Sequence, residues 1–189
     1  MTREHIAAPR LGRYEIDTSA SSITFGTRHL FGLGAVRGRF GLLGGTVDIA
    51  SPPAESAICA RLATASFKTG NPARDAAVRS ARFLDAGRFP VITFRAGPAA
   101  SQPAGAGGAP VLAGHQPGGG DGQVLAGTLT VGEVTRPVRL LIERVEVSAQ
   151  AFTARASARI DRAEFGVTAA RGLAARYLDI TVEVRCERN

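Results

Sequence analysis

The sequence of 189 residues has no tryptophan, a single lysine (Lys68) and only two cysteines, Cys59 and Cys186. Two cysteines cannot form a disulfide scaffold, and no further thiol stands near either one to build a zinc site. We therefore expect both cysteines to be small buried hydrophobic residues.

Long apolar runs are also absent, and the apolar stretches are short pieces such as residues 140–142. Since a membrane-spanning helix needs about 20 consecutive apolar residues, no integral membrane segment is expected. Residues 1–11 lack the apolar stretch of about 7–15 residues that a secretory signal requires. These two absences predict a cytoplasmic chain.

Acidic residues are in the minority, with 16 Asp and Glu against 23 Lys and Arg, for a net charge of +7. The arginines are scattered, without a run of five like charges or a basic stripe studded with aromatic residues. A solvated surface explains them better than a nucleic-acid interface, so no nucleic-acid partner is expected. Salt-dependent DNA binding would support the alternative of a protein that binds nucleic acid or an anionic surface.

Most of the chain alternates between apolar and polar residues, and residues 152–161 and 178–186 do so without a break. Successive side chains of a strand point to opposite faces, so this period predicts half-buried strands. Weaker versions elsewhere bring the number to eight or more. The length suits one domain with a real core, and the pattern predicts a mainly β, antiparallel barrel or sandwich.

Three segments depart from the alternation. Asn71 before Pro72 is a good helix start, which predicts a short helix over residues 72–81 that covers an open end of the sheet. Glycine and proline in residues 132–137 predict a hairpin connection. Residues 97–122 contain nine glycines and four prolines, which predicts a flexible loop insertion whose deletion leaves stability nearly unchanged.

The order of these pieces resembles the YceI-like family of polyisoprenoid-binding proteins. No single motif is diagnostic, but many occur in the right order, at residues 14–17, 21–25, 28–30, 36–40, 69–71, 74–75, 79–80, 83–85, 89–94, 127–131, 134–138 and 160–167. The resemblance implies a lipocalin-like barrel of about eight strands over residues 12–189, after a tail of residues 1–11. It also implies a bound lipid in place of a cofactor, a transport role and a homodimer.

Small inward residues favour a barrel with a cavity over one that is filled by side chains. The inward row of residues 152–158 has three alanines after Phe152, and Gly38 is also small. In the alternative, Phe25, Phe40 and Phe94 pack into that space. From the strand pattern we expect the following residues to line the barrel and bind the ligand: Ile23, Phe25, Phe40, Ile58, Leu62, Phe94, Leu140, Ile142, Phe152, Ala156, Ile180 and Val182.

Polar candidates are few. The candidates for contact with a lipid head group are His29, Arg37 and Arg39. Such residues are more commonly solvated surface side chains. The sequence has no nucleophile elbow, paired-histidine metal spacing or phosphate-binding loop, so no catalytic residue, metal or enzyme activity is expected. The alternative is an enzyme that acts on a lipid-like substrate through His29, Arg74 and Asp75, and loss of turnover in His29→Ala would test it.

Overall fold

Eight antiparallel strands pair in chain order and close into a barrel, because the first strand also pairs with the last. The structure is a computed structural model that describes residues 8–29, 34–98, 123–169 and 175–188. The strands are β1 (Gly12–His29), β2 (Gly34–Ile49), β3 (Ala57–Lys68), β4 (Val91–Ala96), β5 (Gln123–Val131), β6 (Val134–Val147), β7 (Ala151–Asp161) and β8 (Tyr177–Arg188). One helix, α1 (Pro72–Arg79), connects β3 to β4, and 3-10 turns occupy Pro53–Glu55 and Arg162–Phe165.

The two strands with unbroken alternation form one hairpin of the barrel. β7 and β8 pair along their whole length, from Ala151 opposite Glu187 to Asp161 opposite Tyr177. Both strands have one face toward the barrel interior and one toward solvent, which is the arrangement that a period of two requires. The predicted mainly β, antiparallel barrel is confirmed.

Helix α1 begins where its capping signal stands. The Asn71 side chain accepts a hydrogen bond from the Arg74 amide at 3.0 Å, and Pro72 occupies the first turn. The helix ends at Arg79, two residues before the predicted end, because Ser80 is already extended. The Arg79 guanidinium donates to the carbonyl oxygen of Phe67, which ties the helix to β3. In the described ranges, no helix is long and apolar enough to cross a membrane.

Two predicted connections can be compared with the structure. The hairpin turn consists of Gly132 and Glu133 alone, and Val134 already pairs with Val131, so Pro137 is a strand residue opposite Thr128. Gly97 is buried with a φ of +110°, and a Cβ there would lie 2.5 Å from the Ser56 carbonyl oxygen. The predicted loop is therefore packed against the barrel at its first residue, directly after β4. The rest of that loop, residues 99–122, and its predicted flexibility lie outside the described residues.

Buried hydrophobic residues of the described chain form two clusters, and the smaller one, Ile23, Leu62 and Ile92, borders the cavity described below. The larger cluster occupies one end of the barrel, which we call the packed end. It is formed where β1 and β7 begin and β2 and β8 end, by the buried residues Tyr14, Ile16, Val47, Phe152 and Cys186. Cys186 is fully buried, as expected. The prediction is wrong for Cys59, which is only half-buried because it alternates with the inward residues Ile58 and Ala60 of β3.

Candidate ligand-binding cavity

The packed end closes one side of the barrel. The rings of Tyr14 and Phe152 meet edge to face with their centroids 5.0 Å apart. The Tyr14 hydroxyl donates to the Arg10 carbonyl oxygen at 2.9 Å, so its polar atom has a partner. Burial raises the pKa of the Cys186 thiol to about 12, which makes it an inert packing group at neutral pH. This end forms the floor of the barrel interior.

Above the floor the interior is open, with a cavity of about 360 Å³. Every one of the eight strands contributes to its wall. Of the described residues that line it, all are apolar except Thr27, Arg74 and Arg162. This volume lies within the range of small-molecule sites, about 300–1,000 Å³, and a mostly apolar wall with few polar groups is typical of them.

Aromatic rings form one side of the cavity and do not fill it. Phe25 stacks on Phe67 at 5.1 Å, and Phe40 lies against both rings. Gly38 makes room for this cluster, since a Cβ there would lie 2.4 Å from the Phe25 ring. The space beside Gly38 is thus taken by Phe25, while Ala158 remains on the cavity wall.

Helix α1 and the 3-10 turn at Arg162–Phe165 line the end of the cavity that is opposite the floor. Val78 of α1 and Phe83 and Leu84, which follow the helix, are part of the wall, as is Phe165. This is the covering role predicted for the helix. The strand pattern did not predict that residues of the helix and the 3-10 turn line the cavity. The adjacent apolar residues Phe83 and Leu84 after a polar helix were a usable signal that this segment faces the interior.

The comparisons with known proteins agree with this architecture. The family model of the YceI-like domain matches residues 14–187. The chain belongs to the YceI-like family. No curated protein matches it significantly.

Solved structures show the same fold at low sequence identity. The YceI-like chain is similar to Burkholderia cenocepacia BcnA, with 18% identity, a TM-score of 0.68, and coverage of 90% of this chain and 98% of that one. It is similar to a polyisoprenoid binding domain from Saccharophagus degradans implicated in plant cell wall breakdown, with 15% identity, a TM-score of 0.65, and coverage of 95% and 100%. The Campylobacter jejuni YceI protein matches with 18% identity, a TM-score of 0.57, and coverage of 86% and 90%.

Within the YceI-like barrel, the predicted lining residues divide into two groups. Eight of them lie on the cavity wall: Ile23, Phe25, Phe40, Leu62, Phe94, Leu140, Ile180 and Val182. The other four do not. Phe152 belongs to the packed end and Ile58 packs against it, while Ile142 and Ala156 are buried opposite each other on β6 and β7. Ligand binding by any of these residues stays a prediction.

The predicted head-group residues are not brought together at the cavity. Arg37 and Arg39 are exposed and alternate with Val36 and Phe40 of the wall, so they point away from the cavity. Contact of these two arginines with a head group outside the barrel stays a prediction. The backbone of His29 ends β1, but its side chain lies outside the described residues.

The structure does join the other two members of the predicted catalytic cluster, through Thr69. The buried Asp75 carboxylate accepts from the Thr69 amide at 2.9 Å and from its hydroxyl at 2.5 Å. The Thr69 hydroxyl oxygen in turn accepts from Arg74 Nε at 2.8 Å. The Thr69 hydroxyl bond, followed by its amide bond and the nearby Arg79 and Arg74 charges, lowers the pKa of Asp75 despite its burial. A carboxylate held in this way is a poor proton acceptor at neutral pH.

Metal-binding clusters are absent from the part of the chain that the structure describes. No group of three or more histidine, cysteine, aspartate or glutamate side chains stands close enough there to hold an ion. The described residues supply the cavity with an apolar wall, one hydroxyl and two guanidinium groups.

Proposed function

We propose that this YceI-like protein is a non-catalytic carrier that holds a long-chain isoprenoid, a polyprenyl chain or isoprenoid quinone, or a similar amphiphilic lipid, in the barrel cavity. The observation that carries the proposal is the cavity itself, which is about 360 Å³ and apolar except for three residues. Such a wall removes the apolar surface of a water-insoluble chain from contact with water. A polyisoprenoid binding domain of the same fold supports the isoprenoid class as the ligand.

The energy of binding comes from burial of the apolar chain. Each methylene removed from water contributes about 0.8 kcal/mol, so one five-carbon isoprene unit contributes about 4 kcal/mol before costs. Eight units would sum to about 32 kcal/mol, beyond the ceiling of about 18–21 kcal/mol that non-covalent complexes reach. Ordering of a flexible chain and its extraction from aggregates therefore consume most of the gain.

Discrimination between different tails is expected to be weak. A wall of aliphatic and phenylalanine side chains has few hydrogen-bonding groups with which to reject an ill-matched tail. A cavity of about 360 Å³ is also near the lower limit for drug-sized ligands. We expect affinity to rise from geraniol to farnesol and then to level off, because additional isoprene units extend beyond the cavity.

Organic extraction of the purified protein followed by mass spectrometry tests the proposal. We expect a stoichiometric amphiphile with a long apolar chain, and reduced recovery of it from an Ala158→Trp variant whose indole occupies the cavity. In parallel, titration of delipidated protein with farnesol should show saturable binding to one site. An empty extract together with no saturable farnesol binding would contradict the proposal.

A further inference from the structure

Two arginines, Arg74 and Arg162, line the mostly apolar cavity, and their guanidinium groups have different hydrogen-bond partners. Arg162 Nε donates to the Ala175 carbonyl oxygen at 2.8 Å, and its Nη1 donates to those of Val167 and Ala169 at 2.7 and 2.8 Å. These bonds hold the segment after β7 against the barrel. The donors of Arg162 are thus committed to the backbone of the protein.

Arg74 is held differently. Its Nε donates to the Thr69 hydroxyl oxygen at 2.8 Å, and this oxygen has its own proton directed to Asp75 at 2.5 Å. Among the described residues, no carboxylate lies within ion-pair distance of Arg74, and its terminal nitrogens have no hydrogen-bond acceptor. Thr69 and Asp75 therefore fix the guanidinium at one nitrogen and leave its terminal edge available to a ligand.

Arg74 has two further arginines and one acid in its surroundings. Arg79 of the same helix donates to the Phe67 carbonyl oxygen, and Arg162 lies on the same cavity wall. The nearby acid Asp75 is charged, but its carboxylate accepts hydrogen bonds from Thr69 and is linked to Arg74 through the Thr69 hydroxyl, so the terminal nitrogens of Arg74 do not contact it. An anion at the cavity could therefore form direct charge-assisted hydrogen bonds with the terminal nitrogens of Arg74.

From these contacts we infer that Arg74 binds an anionic head group, a phosphate or a carboxylate, of the amphiphile whose tail occupies the cavity. The inference rests on the proposed function and adds the chemical class of the head group and the residue that recognises it. A planar guanidinium with a free terminal edge matches two oxygens of either anion. The apolar wall then binds the tail, and Arg74 selects charged over neutral ligands.

The test uses three probes with the same tail, namely farnesyl phosphate, farnesoate and farnesol, titrated into the delipidated full-length protein. We expect both anions to bind the wild type about tenfold more tightly than farnesol, as one charge-assisted contact would give. Arg74→Gln should remove this preference while leaving the farnesol affinity within about twofold. Arg74→Lys should restore part of it, because the charge remains but the fork geometry is lost.

The control is Arg82→Gln, which removes an equal charge from an exposed position three residues after α1 and should leave all three affinities unchanged. Melting temperatures of the variants separate loss of binding from loss of fold. Tighter binding of farnesyl phosphate than farnesoate assigns a phosphate head group, and the reverse order assigns a carboxylate.

Two results would overturn the inference while leaving the proposed function intact. One is wild-type protein that binds farnesol as tightly as the anions, and the other is an Arg74→Gln variant that is folded and retains the preference for anions. Failure of all three probes to bind the wild type would instead overturn the proposed function, and the inference with it.

Discussion

The two ends of the barrel are built from the same strands but have different interiors. At the packed end, Ala154 of β7 contacts the cluster around Phe152. The next inward residue, Ala156, is buried between Ile142 of β6 and Val182 of β8. Two residues farther along the same face, Ala158 lies on the wall of the cavity. The side-chain period decides what faces inward, whereas position along the strand decides whether an inward residue packs or lines a cavity.

Phenylalanine truncation should show the largest difference between the two ends. Phe152→Ala removes a buried ring from the packed end, and we expect a loss of about 3–5 kcal/mol in the free energy of unfolding. Phe40→Ala removes a half-buried ring that already borders the cavity, so a smaller loss of about 1–2 kcal/mol is expected. Chemical denaturation of both variants measures the difference, and equal losses would show that the cavity end is as tightly packed as the floor.

Insertion of an indole at the two alanines should separate stability from binding. Ala156→Trp overpacks the buried site and should cost about 1–3 kcal/mol or more. Ala158→Trp has the cavity to occupy, so we expect a smaller loss of stability together with a loss of most farnesol binding. Thermal melts and farnesol titrations of the pair provide the measurement. A binding-competent Ala158→Trp protein would refute the location of the ligand.

Alanine substitutions at two glycines of neighbouring strands, Gly26 of β1 and Gly38 of β2, test the packing around the Phe25 ring. In Gly38→Ala the new Cβ would lie 2.4 Å from the Phe25 ring and 2.6 Å from the Lys68 carbonyl oxygen, so we expect a loss of about 1–2 kcal/mol. In Gly26→Ala the Cβ meets no atom within 4 Å, and a gain of about 0.4–1 kcal/mol is expected. Denaturation midpoints that move in the same direction would contradict the packing described for Phe25.

The smallest expected effect is a pH dependence at the helix end of the cavity. The Thr69 bonds lower the pKa of Asp75 below its ordinary value of 3.8. Such a carboxylate contributes stability above pH 3.8, and this contribution is lost as the pH falls through the lowered value. The melting temperature of the wild type should exceed that of Asp75→Asn by a constant amount above about pH 5, and the gap should narrow below about pH 4. A gap that widens toward low pH would contradict this sign.

The strand architecture was predictable because it depends on a local pattern. The period of two in β7 and β8 and the capping pair Asn71 and Pro72 act within a few residues, and the structure has both the strands and the helix start. The predicted helix end was two residues too late, because Ser80 is extended, and helix ends are the part of a helix that local patterns fix least well.

The floor and the cavity wall could not be separated from the sequence. Ile58 and Leu62 follow the same period on β3, yet Ile58 packs against the floor and Leu62 lines the cavity. Their difference depends on the tilt and stagger of the strands in the closed barrel, which are properties of the whole sheet. The position of Arg74 on the cavity wall was not predicted either, since only the folded chain places α1 against the interior.

Methyl NMR of the isoleucines during a farnesol titration shows which end of the barrel binds the ligand, because isoleucines occur at both ends. We expect saturable shifts at the cavity residues Ile23, Ile92, Ile160 and Ile180, with Ile16, Ile49 and Ile58 of the packed end nearly unmoved. Shifts of equal size at both ends, or shifts confined to the packed end, would contradict the division of the barrel into a structural floor and a ligand-binding cavity.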